Sequence, residues 1–297
     1  MHHRSRWIIL PSALVLASIC AADAGAGLLA HFTANGTPND RAGGHMGTLV
    51  NGAGFGPGIE DQAFELDGSN QYVVSDEDPD WAFGMGPFTV SCWVNFDVIK
   101  SGQPGQLPNV FVGQDDGGGQ LMKWVFFTSG QNDVSFHING TAFIFMSAPI
   151  PFTPSPGDWH HYVVTRLGQA FTFYVDGNSL GSAQHDVFVP NATYPLTIGQ
   201  AEGLGYLDGR IDDVQIYNEA LTQAQVLFLT ENPGSAITFE CPADLNDDGL
   251  VDGADLGLLL GSWGPCGACT ANIDGQGGVD GADLGLLLGS WGPCASP

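Results

Sequence analysis

Short runs in which apolar and polar residues alternate recur through residues 25–230, each closed by a glycine-rich turn. The clearest are Phe64–Leu66, Tyr72–Val74, Phe88–Phe96, Val110–Val112, Leu121–Phe127, Val134–Ile138, His161–Thr165, Phe171–Val175 and Ile211–Tyr217. Successive side chains of a strand point to opposite faces, so each run predicts a strand with one buried side. Many short strands at such spacing predict a mainly β fold, an antiparallel β-sandwich of the jelly-roll kind. Asp176-Gly177-Asn178 is a hairpin-turn signal between two of them. Ala220–Leu229 reads as one short helix, and Asn232-Pro-Gly-Ser opens a linker that runs to Glu240.

The C-terminal pattern is different, and it repeats. Residues 241–266 return 28 positions later as 269–294, and Val251–Cys266 is identical to Val279–Cys294. The segment is therefore a duplication. Its first copy spaces Asp244, Asn246, Asp248, the Leu250 carbonyl, Asp252 and Asp255 as positions 1, 3, 5, 7, 9 and 12 of a calcium loop. Gly249 stands at position 6, where the chain turns sharply. A Ca²⁺ ion needs about six to eight oxygens, and one wrapping segment supplies them at this spacing. An Asp/Asn/Gly-rich turn is the plainer use of such residues, but duplication and agreement at the ligand positions favour the metal. The second loop offers Asn272, Asp274, Gln276, the Gly278 carbonyl, Asp280 and Asp283, with Gly277 at the turn. It has three carboxylates against four, so it is the weaker site. Val251, at position 8, suits a short strand pairing between the two loops.

A helix is predicted after each loop, so the tail reads as a small α-helical module of two EF-hand-like loop-helix repeats. Asp252 caps the first, and Asp255 three residues on makes a capping box with a shortened acid. Leu256, Leu259, Leu260 and Trp263 form one apolar stripe, repeated as Leu284, Leu287, Leu288 and Trp291. Two such stripes predict helices packed about a pseudo-two-fold axis. Tandem loops followed directly by LGLLLGSWG helices resemble a type I dockerin over residues 241–294. The resemblance implies Ca²⁺ and docking into a cohesin-like or cell-envelope partner. Dockerins commonly carry hydroxyl residues at loop positions 10 and 11, where this chain has Gly253-Ala254 and Gly281-Ala282. The departure leaves the calcium reading intact and weakens the docking one.

The β-rich part carries its own likeness. The phrases Phe64–Val73, Phe88–Val94, Trp159–Thr165, Phe173–Gly177 and Leu207–Leu221 occur in order. Together they resemble the laminin G-like, pentraxin-related domain of the concanavalin A-like lectin/glucanase superfamily. That likeness implies two facing antiparallel sheets that bind a carbohydrate or an extracellular protein, often beside a structural calcium. Asp40, with backbone oxygens near Gly43, and Asp212 are the candidates for that calcium, with Asp212 read as facing the same side as Val214 and Ile216. Hydrolases of this fold carry an E-x-D-x-x-E strand, and Glu60-Asp61 with Glu65 has the wrong spacing. His160 and His161, adjacent on a predicted strand, face opposite ways and make a poor joint metal site.

Charge and cysteines narrow the picture further. Seven Lys and Arg against 32 Asp and Glu give a formal net charge of −25. That excludes nucleic acid as a partner, since such binding rests on basic residues neutralising phosphate. Met1–Arg6 is basic, Trp7–Ile19 is an apolar run too short to span a bilayer, and Ala22-Asp23-Ala24 offers a cleavage site. The chain thus divides into a signal peptide (1–24), a jelly roll (25–230), a linker (231–240) and a calcium module (241–297), on a secreted or cell-surface protein. A lipoprotein anchored at Cys20 is the rival reading, against which stands the bulky Ile19. In an exported chain Cys241, Cys266, Cys269 and Cys294 suit disulfides better than a zinc site. Of three connectivities, one pair per repeat favours Cys241–Cys266 and Cys269–Cys294. Cys92 falls in an alternating run and reads as a core thiol. Three function classes stand: a non-catalytic binding or adhesion protein, a polysaccharide-degrading enzyme, and a structural matrix protein.

Overall fold

The computed structural model describes residues 27–102, 107–115, 122–140, 142–237, 241–246, 250–266 and 269–293. The segment read as a signal peptide, Cys20, Leu121, Asp248, Gly249 and Cys294 lie outside the described residues. The first strands are β1 (Leu28–Phe32), β2 (Gly47–Val50), β3 (Gly54–Pro57), β4 (Gln62–Asp67) and β5 (Tyr72–Ser75). A 3-10 turn, Pro79–Trp81, precedes β6 (Phe88–Val98), β7 (Asn109–Asp115), β8 (Lys123–Thr128), β9 (Ser135–Asn139) and β10 (Phe143–Ser147). Then come β11 (Trp159–Leu167), β12 (Ala170–Val175), β13 (Asn178–Gln184), β14 (Leu196–Ile198) and β15 (Asp208–Tyr217).

Two antiparallel sheets form a sandwich. One runs β13-β12-β11-β6-β15-β4-β3, with β1 paired to the far half of β15; the other runs β10-β9-β8-β7-β14-β5-β2. The alternation read in the sequence sets the inner faces. Phe88, Val90, Cys92, Val94 and Phe96 all point into one core, where they meet Trp124 and Phe136 of the opposite sheet. Each large apolar side chain so buried contributes about 1.5–3 kcal/mol. Cys92 is a free, buried thiol, and burial pushes its pKa well up. The hairpin at Asp176-Gly177 joins β12 to β13, with positive φ at both residues (50° and 74°) as a tight I′ turn requires.

Helix α1 (Gln223–Glu231) starts in a capping box between Thr222 and Gln225. It lays Val226 and Leu229 on the outer face of the first sheet, against Val163, Tyr174 and Tyr217. The segment after it is tied down by a buried polar network. Asp213 accepts from Gly234 N (2.9 Å), Gln215 Nε2 donates to Ser235 O (2.8 Å), and Ile237 N donates to Tyr217 Oη (3.1 Å).

The repeats fold into β16 (Leu250–Val251), α2 (Gly253–Gly261), α3 (Gly281–Gly289) and β17 (Gly292–Pro293). Asp252 with Asp255, and Asp280 with Asp283, form the predicted capping boxes. Ala243, Val251 and Leu259 are buried in one cluster with their 28-residue counterparts Ala271, Val279 and Leu287. The pairing of the loops differs from expectation. Val251 pairs with Gly292 and Val279 with Gly264, so each loop pairs with the segment after the other helix. The stripe is also narrower than predicted. Each helix ends two residues before its tryptophan, so Trp263 and Trp291 stay half exposed together with Leu260 and Leu288.

That exchange of ends corrects the disulfides. Cys266 is bonded to Cys269, with Cα atoms 5.9 Å apart, which rules out both Cys241–Cys266 and Cys269–Cys294. Each repeat closes on its twin instead of on itself, so the end of the first and the start of the second meet at the junction.

Candidate functional site

Strands β5, β14 and β7 lie side by side, with Thr197 opposite Val74 and Gly113, and Ile198 opposite Val73 and Val112. Val73, Val112, Leu196 and Ile198 point into the core. Pleating therefore turns Tyr72, Val74 and Thr197 outward. Together with Asp115, Tyr194, Pro195, Gln200, Glu202 and Gly203 they line an open cleft of ≈ 270 Å³. Tyr72 and Tyr206 place their rings 6.3 Å apart beside it. Tyr194 is 49% exposed, and the loop that presents it is held by buried Gln114, whose Nε2 donates to Ala192 O (2.7 Å) and Tyr194 O (3.0 Å).

The polar rim is braced from beneath. Lys123 is fully buried and bonds to both Glu202 and Asp115 (3.4 Å to the latter). Glu202 has φ +60° and precedes Gly203 in a tight turn closed between Ala201 and Leu204. A non-glycine residue in that region carries strain, on the order of 1 kcal/mol, and Lys123 holds it there. The cleft thus sets aromatic rings beside anchored acceptors. Rings stack on the apolar faces of a sugar, and the acceptors suit its hydroxyls. Sequence reading assigned no residue here. The available signal was a cluster of tyrosines at outward positions, which strand pairing gathers from distant segments.

In the repeats, Asp255 is buried and accepts from Leu245 N (2.8 Å), Asn246 N (3.3 Å) and Asp252 N (2.8 Å). Its twin Asp283 accepts from Asp280 N (2.8 Å) and Asp274 N (3.0 Å), which hold its carboxyl below the ordinary range. Asp274 accepts from Gln276 N (2.8 Å), so the second loop is curled by its own carboxylates. Asn272 Oδ1, at loop position 1, is buried with no hydrogen-bond partner among the described residues. An orphaned buried oxygen at a ligand position fits a cation.

Among the described residues Asp40 and Asp212 have no hydrogen-bond partner in common. Asp40 accepts from His31 N (2.6 Å), Ala42 N (2.7 Å) and His45 Nδ1 (2.9 Å). Asp212 accepts from Ile59 N (3.0 Å) and Asp213 N (2.7 Å). Nor does Asp212 share a face with Val214 and Ile216. The register of β15 shifts between Asp212 and Gln215, and Asp213 takes φ +49°. Ile211, Val214 and Ile216 all reach the core, so the extra residue breaks the alternation that the sequence suggested. β1 is clasped to β15 by the bond between His31 and Asp213.

His160 and His161 do face opposite ways. His160 Nδ1 meets Asp176 (2.8 Å), while buried His161 is held between Ser91 Oγ and Thr230 Oγ1, both at 2.7 Å. Glu60 sits in a turn, and Glu65 on β4 is exposed opposite Arg210. No helix of the described residues is long and apolar enough to cross a membrane.

Domain 4 of AbnA, a GH43 extracellular arabinanase from Geobacillus stearothermophilus solved with arabinotriose, is similar in structure. Its TM-score is 0.58 at 18% identity, over 69% of this chain and 99% of that one. The binding domain of Paraclostridial Mosquitocidal Protein 1 gives 0.54 at 16%, over 69% and 52%. Botulinum neurotoxin type C, whose cell entry depends on two ganglioside molecules, gives 0.51 at 13%, over 69% and 51%. The chain spans about half the length of these two toxin chains. No curated protein matches the sequence. The family profile of the concanavalin A-like lectin/glucanases superfamily (Laminin_G_3) matches residues 67–227, more than half of the chain, and this protein belongs to that family.

Proposed function

We propose that this chain is a secreted, non-catalytic binding protein whose sandwich holds an oligosaccharide in the Tyr72–Tyr194 cleft. One observation carries the reading: the exposed Tyr194 ring and the half-buried Tyr72 ring stand beside carboxylates anchored on a buried lysine. The arabinotriose and ganglioside named with two structural relatives support that ligand class. Lys123 between Asp115 and Glu202 argues against hydrolysis, which needs two carboxyl groups facing each other across the scissile bond. Titration calorimetry with arabinotriose and a panel of neutral oligosaccharides tests the proposal. Tyr194→Ala is expected to weaken binding at least ~10-fold, through loss of a stacking ring. A panel without a single ligand, or a variant that binds like the parent, defeats it.

Within the same reading, residues 241–294 form a dockerin-like module that binds Ca²⁺ and tethers or braces the protein after the linker. Asp244, Asn246, Asp248, Leu250, Asp252 and Asp255 would hold the first ion. Asn272, Asp274, Gln276, Gly278, Asp280 and Asp283 would hold the second. The buried, unpartnered Asn272 Oδ1 supports this. Two calcium ions per chain are expected, the tighter in the first loop. Asp244→Ala with Asp255→Asn should remove that tighter site and leave the other, since affinity falls with the charge of the ligand set. Calorimetry that counts two unchanged sites in the double variant rejects the assignment.

A further inference from the structure

We propose that His45, Asp78 and Asp80 form a site for one divalent transition-metal ion of the zinc class, separate from the cleft and from the calcium loops. Among the described residues they are the group of three His, Cys, Asp or Glu donors lying within 4.8 Å of one another. His45 Nε2 is 3.4 Å from Asp80 Oδ2 and 3.9 Å from Asp78 Oδ2. Zinc bonds of about 2.0–2.2 Å in tetrahedral array set donors roughly 3.3–3.6 Å apart. One distance fits outright, and the other needs a few tenths of an ångström of closure.

Three features hold the donors in place. Asp40, its side chain fully buried, meets His45 Nδ1 at 2.9 Å. A carboxylate on Nδ1 fixes the ring and turns Nε2 toward the metal, the outer-shell arrangement common to histidine ligands. Asp78 accepts from Asp80 N through Oδ1 (3.0 Å), which leaves Oδ2 for the site, and Pro79 stiffens the turn between them. Trp81, fully buried, lies against the imidazole with centroids 4.5 Å apart, and its Nε1 donates to Asp76 O (3.0 Å). The His45 side chain is 5% exposed, whereas Asp78 and Asp80 are 36% and 25% exposed, so an ion enters from the solvent side. Water completes the coordination. An imidazole donor suits zinc and its neighbours, while calcium and magnesium prefer oxygen. That separates this site from the loops at 244–255 and 272–283.

The full chain, saturated with calcium, is titrated with zinc chloride at pH 7.5 beside Asp78→Asn/Asp80→Asn. One equivalent of zinc should vanish in the variant, and zinc should raise the melting temperature of the parent alone. Both substitutions lie at partly exposed positions, so the variant should melt like the parent in EDTA. Histidine ¹⁵N spectra should show Nε2 of His45 metal-bound and Nδ1 protonated. Equal zinc uptake by both proteins overturns the proposal. So does a His45 ring that stays a doubly protonated partner of Asp78 and Asp80 in excess zinc.

Discussion

Replacing Gly209 by alanine is expected to cost the sandwich about 4 kcal/mol, the upper range for a single substitution. Gly209 lies on β15 opposite Phe96 of β6, at a break in the pairing register, with φ +138°. A Cβ there would run into Asn95 O, and would stand 2.7 Å from Asp97 N and 2.9 Å from Phe96 Cα. These are backbone atoms of a central strand, so no side-chain rotation relieves the clash. The backbone itself is in a region that residues with a Cβ rarely adopt, which adds roughly 1–3 kcal/mol. β6 and β15 form the middle of the first sheet, so displacement there spreads to both edges. A urea midpoint for Gly209→Ala within experimental error of the parent would show that the two strands part more easily than their packing implies.

Between pH 7 and pH 4 two buried groups are expected to shift the stability of the sandwich in opposite directions. Burial pushes the pKa of His161 down to about 4, from 6.5 for a free histidine. Below pH 6.5 the unfolded chain gains a proton that the folded one refuses, so stability falls as pH drops toward 4. Burial pushes the Asp212 carboxyl up to about 7, from 3.8, with the Asp213 charge adding to the rise. Here the folded chain keeps a proton that the unfolded one has shed. Stability therefore rises as pH falls from 7 to 4. Each contribution is on the order of a few kcal/mol, at about 1.4 kcal/mol per pKa unit. Asp212→Asn should unmask the acid loss, and His161→Gln the acid gain. Urea midpoints at several pH values in EDTA measure both slopes, and slopes of the same sign in the two variants would contradict this account.

The strands legible in the sequence are those whose apolar residues fall at every second position. β6 is the best case, since Phe88, Val90, Cys92, Val94 and Phe96 all reach the core. β1, β2, β3, β10, β13 and β14 were not read, and for β2, β3 and β13 the reason is plain. Their sequences, GTLV, GFGP and NSLGSAQ, hold few apolar residues, because each pairs at an edge of its sheet and buries little. An edge strand is held by backbone bonds to its neighbour, which leave no trace in side-chain pattern. The bulge at Asp213 was hidden for a related reason. Period-two counting assumes one residue per step, and a left-handed aspartate inserts one more.

In the repeats, local rules reached far. Capping boxes and helix starts involve residues within a few positions of each other, so the chain encodes them directly. Disulfide pairing depends on which end of one repeat meets which end of the other. The 28-residue period is the same whether each repeat closes on itself or on its twin, and the reciprocal pairs Val251–Gly292 and Val279–Gly264 decided for the twin. The cleft lay furthest from view. Tyr72, Asp115, Tyr194 and Glu202 are separated by up to 130 positions and meet because β5, β14 and β7 are neighbours. The sequence by itself determined fold class, duplication and the capping boxes, which are periodic or local. Tertiary structure alone decided the cleft, the cysteine partners and the His45 cluster, because each rests on contacts between segments whose order along the chain carries no record of their pairing.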